Sequence, residues 1–168
     1  MAAKKKTPAM LRSEVNARLE DLPLQIEALQ SAMEEFGEDF KLTEFKPAFE
    51  RKSGIKSYNK VQAVERAFSR VQNYVVELAE YGSRLAELEP AKSHRNDAAR
   101  AFDTLKAEGV ISATICNRLK RAQKARSAIE HEYVAVRAGR LHEAVKLVLP
   151  AAQDFIGPYS AWIAPYLE

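Results

Sequence analysis

Cysteine occurs once in these 168 residues, at Cys116. A single thiol closes no disulfide within the chain, which agrees with a reducing compartment, and a lone cysteine is most often a small buried hydrophobe. Glycine is also scarce, at six residues, and strand-like alternation is nearly absent, so the sequence offers little from which to build a sheet. Long apolar runs are missing. None approaches the roughly 20 residues of a membrane span, and the basic residues Lys4, Lys5 and Lys6 are not followed by the apolar stretch of a secretory signal. No membrane association is expected, and the cytoplasm is the expected compartment. The histidines are three, His94, His131 and His142. No two of them stand at the i, i+4 helical spacing and no cysteine cluster supports them, so we assign no metal site and expect no cofactor.

What is present is enough for one folded domain. With 46% hydrophobic and 29% charged residues, the chain has the composition of a soluble globular protein and the length to bury a substantial core. Apolar residues recur at intervals of three and four, which predicts an all-α bundle. Residues 1–7 read as a disordered basic tail and 8–168 as a single helical domain. Within that domain, 8–57 hold the first helix and an irregular connection, and 58–168 hold the rest of the core. Thr7 followed by Pro8 has the form of a helix start. From there Leu11, Val15, Leu19, Leu22, Ile26, Leu29, Met33 and Phe36 make one stripe that keeps its phase across Pro23, so a kink is expected and not a break.

Phe40, Phe45 and Phe49 around Pro47 suggest a short helix from about 41 to 52, and Ser53-Gly54 a turn. A second long helix carries Val61, Val64, Phe68, Val71, Val75, Leu78 and Leu85 and is expected to close at Pro90. A shorter helix through Ala98, Phe102 and Leu105 ends at Gly109, and Ser112 caps the next, which runs from about 113 to 131. After it, Val134-Ala135-Val136 reads as an extended connection and Ala138-Gly139 as a turn. The last helix carries Leu141, Val145, Val148, Ala152, Phe155 and Ile156, with Pro150 as a kink. Gly157-Pro158 is expected to break it, leaving Tyr159, Trp162 and Tyr166 as an aromatic tail for the bundle or a partner.

Charge is uneven. Residues 1–90 hold 14 Lys and Arg against 15 Asp and Glu, whereas residues 91–168 hold 12 against 8. The excess is sharpest from Arg118 to Arg126, where Arg118, Lys120, Arg121, Lys124 and Arg126 occur with no acid between them. Such a cluster can attract polyanions, although from charge alone a solvated helix face is the better reading. On the wheel of the 113–131 helix, Ile115, Leu119, Ala122 and Ile129 share an arc of about 80° that faces the bundle. Arg126 falls inside that arc, where a charge is costly unless paired. A structural ion pair with Glu130, four residues on, is the plain explanation.

Lys120, Lys124, Ser127 and His131 share a different strip, within about 60° of one another. It offers two cations, a hydroxyl and an imidazole that titrates near neutrality, the side chain most used for general acid–base work. Ser127 lies one helical turn before His131 and can orient its ring. Arg126 and His131 stand about 140° apart, too far to grip one small group from a straight helix. Two copies of the helix facing across a dimer would bring Arg from one chain to His from the other.

Arg126, four intervening residues, His131, one residue and Tyr133 form an Arg-x4-His-x-Tyr pattern. It resembles the motif of HEPN ribonuclease toxins of the HepT type. Two further segments are similar to that family in order along the chain: Ala63-Val64-Glu65-Arg66-Ala67, and Ala101 through Ile111 before the motif helix. The resemblance implies a two-fold homodimer of helical bundles with an RNA-cleaving cleft, transfer RNA being one candidate substrate. It also implies a partner antitoxin, a nucleotidyltransferase of the MNT type, that silences the toxin by attaching AMP groups to the motif tyrosine, here Tyr133. Arg126 and His131 would be the catalytic pair, Ser127 and Glu130 supporting positions, and Lys120, Arg121 and Lys124 contacts to RNA. The position after the arginine is usually Asn in the family and is Ser127 here, a shorter donor and acceptor. Two other readings use the same surface without chemistry: a helical dimer that holds a protein partner, and a nucleic-acid-binding module.

Overall fold

The structure is a computed structural model and describes residues 6–93, 96–129 and 134–168. Among them there are six α-helices and no strand: α1 (Pro8–Glu34), α2 (Leu42–Phe49), α3 (Ile55–Leu85), α4 (Asp97–Ala107), α5 (Ala113–Ile129) and α6 (Val134–Ile163), followed by a 3-10 turn at Ala164–Tyr166. The starts follow local chemistry. Thr7 Oγ1 accepts from the Met10 amide at 3.3 Å, Asn96 Oδ1 from Ala99 at 3.1 Å and Ser112 Oγ from Ile115 at 3.2 Å, each satisfying a donor the helix itself leaves unpaired. Gly109, at φ +76°, takes the left-handed conformation that ends α4.

α1 lies antiparallel along α3, tied by Arg18 to Glu77 and by the Tyr74 hydroxyl to Asp21 at 2.7 Å. α5 lies along α6, and α4 folds back on α5. Leu22, Leu29, Phe68, Val75, Leu78, Phe102, Leu105, Leu119, Leu141 and Phe155 form one continuous buried core. Phe36, Phe40, Phe45 and Phe49 make an aromatic plug beneath α6, where His142 stacks on Phe40 with ring centroids 4.8 Å apart and its Nε2 meets the Phe40 carbonyl at 2.5 Å. His142 therefore has a structural post. Lys6, placed by sequence in the tail, binds Glu14 at 3.0 Å and the Tyr81 hydroxyl at 2.9 Å. No helix among the described residues is long and apolar enough to cross a membrane.

Several local expectations fail. α3 ends at Leu85, short of Pro90. The extended connection at Val134-Ala135-Val136 and the turn at Ala138-Gly139 do not exist: α6 begins at Val134 and runs through them. Nor does Gly157-Pro158 break α6, which continues to Ile163. Burial overrides propensity at these positions, because Ala138, Leu141, Phe155, Tyr159 and Ile163 all pack into the core on one face. Pro158 and Asp154 both lie on the exposed face of α6, where the helix bond that Pro158 cannot make costs least. The aromatic tail is part of this helix. Tyr159 is fully buried and donates to the Leu78 carbonyl at 2.5 Å, while Trp162 packs edge-on against it.

Candidate functional site

The motif helix α5 is fixed on two sides. On its apolar arc, Ile115, Leu119 and Ala122 are buried as the wheel places them. Towards α4, the helix is locked by a buried carboxylate. Asp103 is 5% exposed and accepts from Ser93 Oγ at 2.6 Å, Cys116 Sγ at 3.4 Å and Lys120 Nζ at 3.0 Å, with Lys106 Nζ at 3.4 Å. Burial pushes this carboxyl up, but the hydrogen bonds from Ser93, Lys120 and Cys116 outweigh it and hold the group well below the usual carboxylate range. The same contacts act oppositely on the thiol: burial, then the neighbouring carboxylate, push Cys116 up to about 11. Cys116 is thus the inert buried thiol that its isolation suggested.

Lys120, one of the expected RNA contacts, has its charge balanced by Asp103. Arg121 pairs with Glu143 at 2.5 Å, but both side chains are more than half exposed, so that pair is weak and easily exchanged for another anion. Lys124 is exposed. The strip that carries these cations lines a cavity of about 350 Å³ between the start of α4 and α5, with Asn96, Ala99, Lys120, Gln123, Lys124 and Ser127 in its wall. The Ser127 hydroxyl donates to the Gln123 carbonyl at 3.2 Å, a backbone contact one turn back along its own helix.

Arg126 is half-exposed rather than buried. The apolar arc on which it falls runs out at the edge of α3, and its Nη1 donates to Asn73 Oδ1 there. One turn earlier, Gln72 Nε2 donates to Gln123 Oε1 at 2.9 Å and to the Leu119 carbonyl at 3.4 Å. Together these contacts seat the end of α5 across residues 72–73 of α3. Among the described residues Arg126 makes no ion pair; its partner is a neutral amide. Asn73 and Asp103 were not foreseen, since nothing in a single sequence ties position 73 to position 126. Glu130, His131 and Tyr133 lie outside the described residues. Among the described residues, no group of three His, Cys, Asp or Glu side chains is placed to hold a metal ion.

Comparison with known proteins identifies a family. A family model described as ribonuclease HepT-like matches residues 24–158, a span that contains the last part of α1, α2 to α5, most of α6, and the whole Arg-x4-His-x-Tyr segment. No curated protein and no solved structure matches the chain significantly.

Proposed function

Because the chain belongs to the ribonuclease HepT-like family, we propose that it is an endoribonuclease toxin that cleaves RNA without metal and uses Arg126 and His131 at a dimer interface. Family membership supports ribonuclease activity in general. One observation supports the finer reading: among the described residues Arg126 is anchored by the neutral Asn73 amide and by no ion pair, and an ion pair within them would consume its charge.

In the proposed reaction the RNA 2′-oxygen attacks the adjacent phosphorus. The new bond closes a 2′,3′-cyclic phosphate as the bond from phosphorus to the 5′-oxygen breaks. One His131 imidazole takes the 2′-hydroxyl proton, and the imidazolium of the two-fold related His131 gives a proton to the leaving 5′-oxygen. The Arg126 guanidinium, a planar fork matched to phosphate, stabilises the charge that gathers on the non-bridging oxygens. Lys124 and Arg121 hold the backbone without reading sequence. Lys120, paired with Asp103, positions α5. Transfer RNA is a candidate substrate.

Silencing follows the same geometry. A nucleotidyltransferase antitoxin of the MNT type attaches AMP groups to Tyr133, two residues from His131, and the added phosphate charge and bulk compete with RNA. Induction in a bacterial host tests the whole reading. Wild type should arrest growth, Arg126→Ala and His131→Ala should not, and Tyr133→Phe should stay toxic when the antitoxin is co-expressed. A harmless wild type would sink the toxin assignment, and rescue of Tyr133→Phe by the antitoxin would sink the switch.

A further inference from the structure

Of the cations expected to grip RNA, Lys120 is spent on Asp103, and α3 supplies others. The described residues on either side of the motif both meet α3. Arg126 of α5 binds Asn73, and Arg137 in the first turn of α6 interacts electrostatically with Glu65. Those two points lie eight residues apart on one helix, about 12 Å along its axis. Between them, Arg66 and Arg70 are exposed. On the α3 wheel they stand within about 60° of Asn73, opposite the arc of Val64, Phe68, Val71 and Val75 that enters the core.

This strip is bounded by α1, through Arg18 to Glu77 and Tyr74 to Asp21, and by α5, through Gln72 to Gln123. The bounding acids are thereby engaged: Glu77 pairs with Arg18, and Asp21 accepts from Tyr74 and Gln25. Neither Arg66 nor Arg70 makes an ion pair among the described residues. Arg137 lies over the Phe49 ring, beside Glu65. Its Nε is shielded from solvent and meets no acceptor among the described residues.

We propose that Arg66 and Arg70 of α3 are positioning residues that hold two neighbouring phosphates of the RNA strand alongside the Arg126–Asn73 contact. One helical turn separates them, about 6 Å of rise, comparable to the spacing of adjacent phosphates on one strand. An unpaired guanidinium binds phosphate bidentately and releases condensed counterions as it does so. The inference rests on the ribonuclease reading and extends it from the motif helix to a second helix.

The test is the salt dependence of binding of a short fluorescent single-stranded RNA, measured on His131→Ala protein so that the RNA stays intact. Removing both charges (Arg66→Ala with Arg70→Ala) should lower the slope of log affinity against log salt by about 1.4, at roughly 0.7 per phosphate contact. The double lysine variant should keep the slope, and a control of equal charge change, Lys56→Ala with Lys146→Ala, should leave it unaltered. With His131 intact, the double alanine variant should raise KM for RNA while kcat at saturation holds. Circular dichroism should show the same helix content in all of them. An unchanged slope and KM, or an equal loss in the lysine control, would overturn the role of α3 while leaving the nuclease standing. Wild type that cleaves no RNA would bring down the ribonuclease reading and this inference with it.

Discussion

At the scale of single residues, Asp103 does more for the motif helix than any acid near it. Its carboxylate joins α4 to α5 through Cys116 and Lys120 and reaches the preceding loop through Ser93. Removing one partner of a buried charged pair strands the other, at a typical cost of about 3–5 kcal/mol. Asp103→Asn should therefore lower stability at pH 7 by a few kcal/mol, of the order given for such pairs. Because the folded-state pKa is depressed, the stabilisation is fully present above the ordinary Asp value near 4 and is lost as pH falls through the depressed value. Urea denaturation at pH 7 and again near pH 3 checks this: the gap between wild type and Asp103→Asn should narrow on acidification. Cys116, with its thiol pushed up to about 11 and fully buried, should resist thiol reagents in the native protein at pH 8 and react on unfolding. Rapid labelling of the folded protein would contradict the network.

At the scale of elements, glycines in the two long helices separate opposite outcomes. Gly82 in α3 lets Tyr159 of α6 approach so closely that an added Cβ would stand 2.3 Å from its hydroxyl and 3.0 Å from the Trp162 ring. Gly82→Ala should thus force α6 away, break the bond from Tyr159 to Leu78, and lower Tm clearly, overpacking costing about 1–3 kcal/mol. Gly139 in α6 has nothing within 4 Å of an added Cβ, so Gly139→Ala should raise stability by about 0.5–1 kcal/mol through helix propensity. Thermal melts of the two variants should move in opposite directions.

The same helix marks the limit of what could be read from the chain. Thr7, Ser112 and Gly109 are legible because a cap is a local arrangement of one side chain or one φ angle. The start of α6 is not, since Val134, Val136 and Gly139 are poor helix formers by themselves and the burial of Ala138 and Leu141 decides otherwise. In the candidate site, Arg126 was legible as a charge on an apolar arc. Its partner Asn73 was not, because the contact joins residues 53 positions apart.

At the scale of the whole molecule, the proposed site requires a dimer if the helix of Arg126 continues to His131, as the sequence wheel that separates them by about 140° assumes. If arginine from one chain works with histidine from the other, a two-fold assembly that mixes Arg126→Ala and His131→Ala chains contains one composite site with both groups intact. Co-refolded mixtures should regain only part of the wild-type cleavage, because the mixed dimer keeps one His131 and lacks the second that protonates the leaving oxygen, and a mixture as inactive as its parents would contradict the shared site. In the proposed reaction Arg126 and His131 cut RNA by internal transfer. The most direct measurement is to incubate purified protein with a defined RNA in the presence of a chelator and identify the new ends. Wild type should leave 2′,3′-cyclic phosphate and 5′-hydroxyl ends, with the Arg126→Ala and His131→Ala proteins folded but slower by about a hundredfold or more. Ends carrying a 5′-phosphate, or undiminished cleavage by either variant, would contradict it.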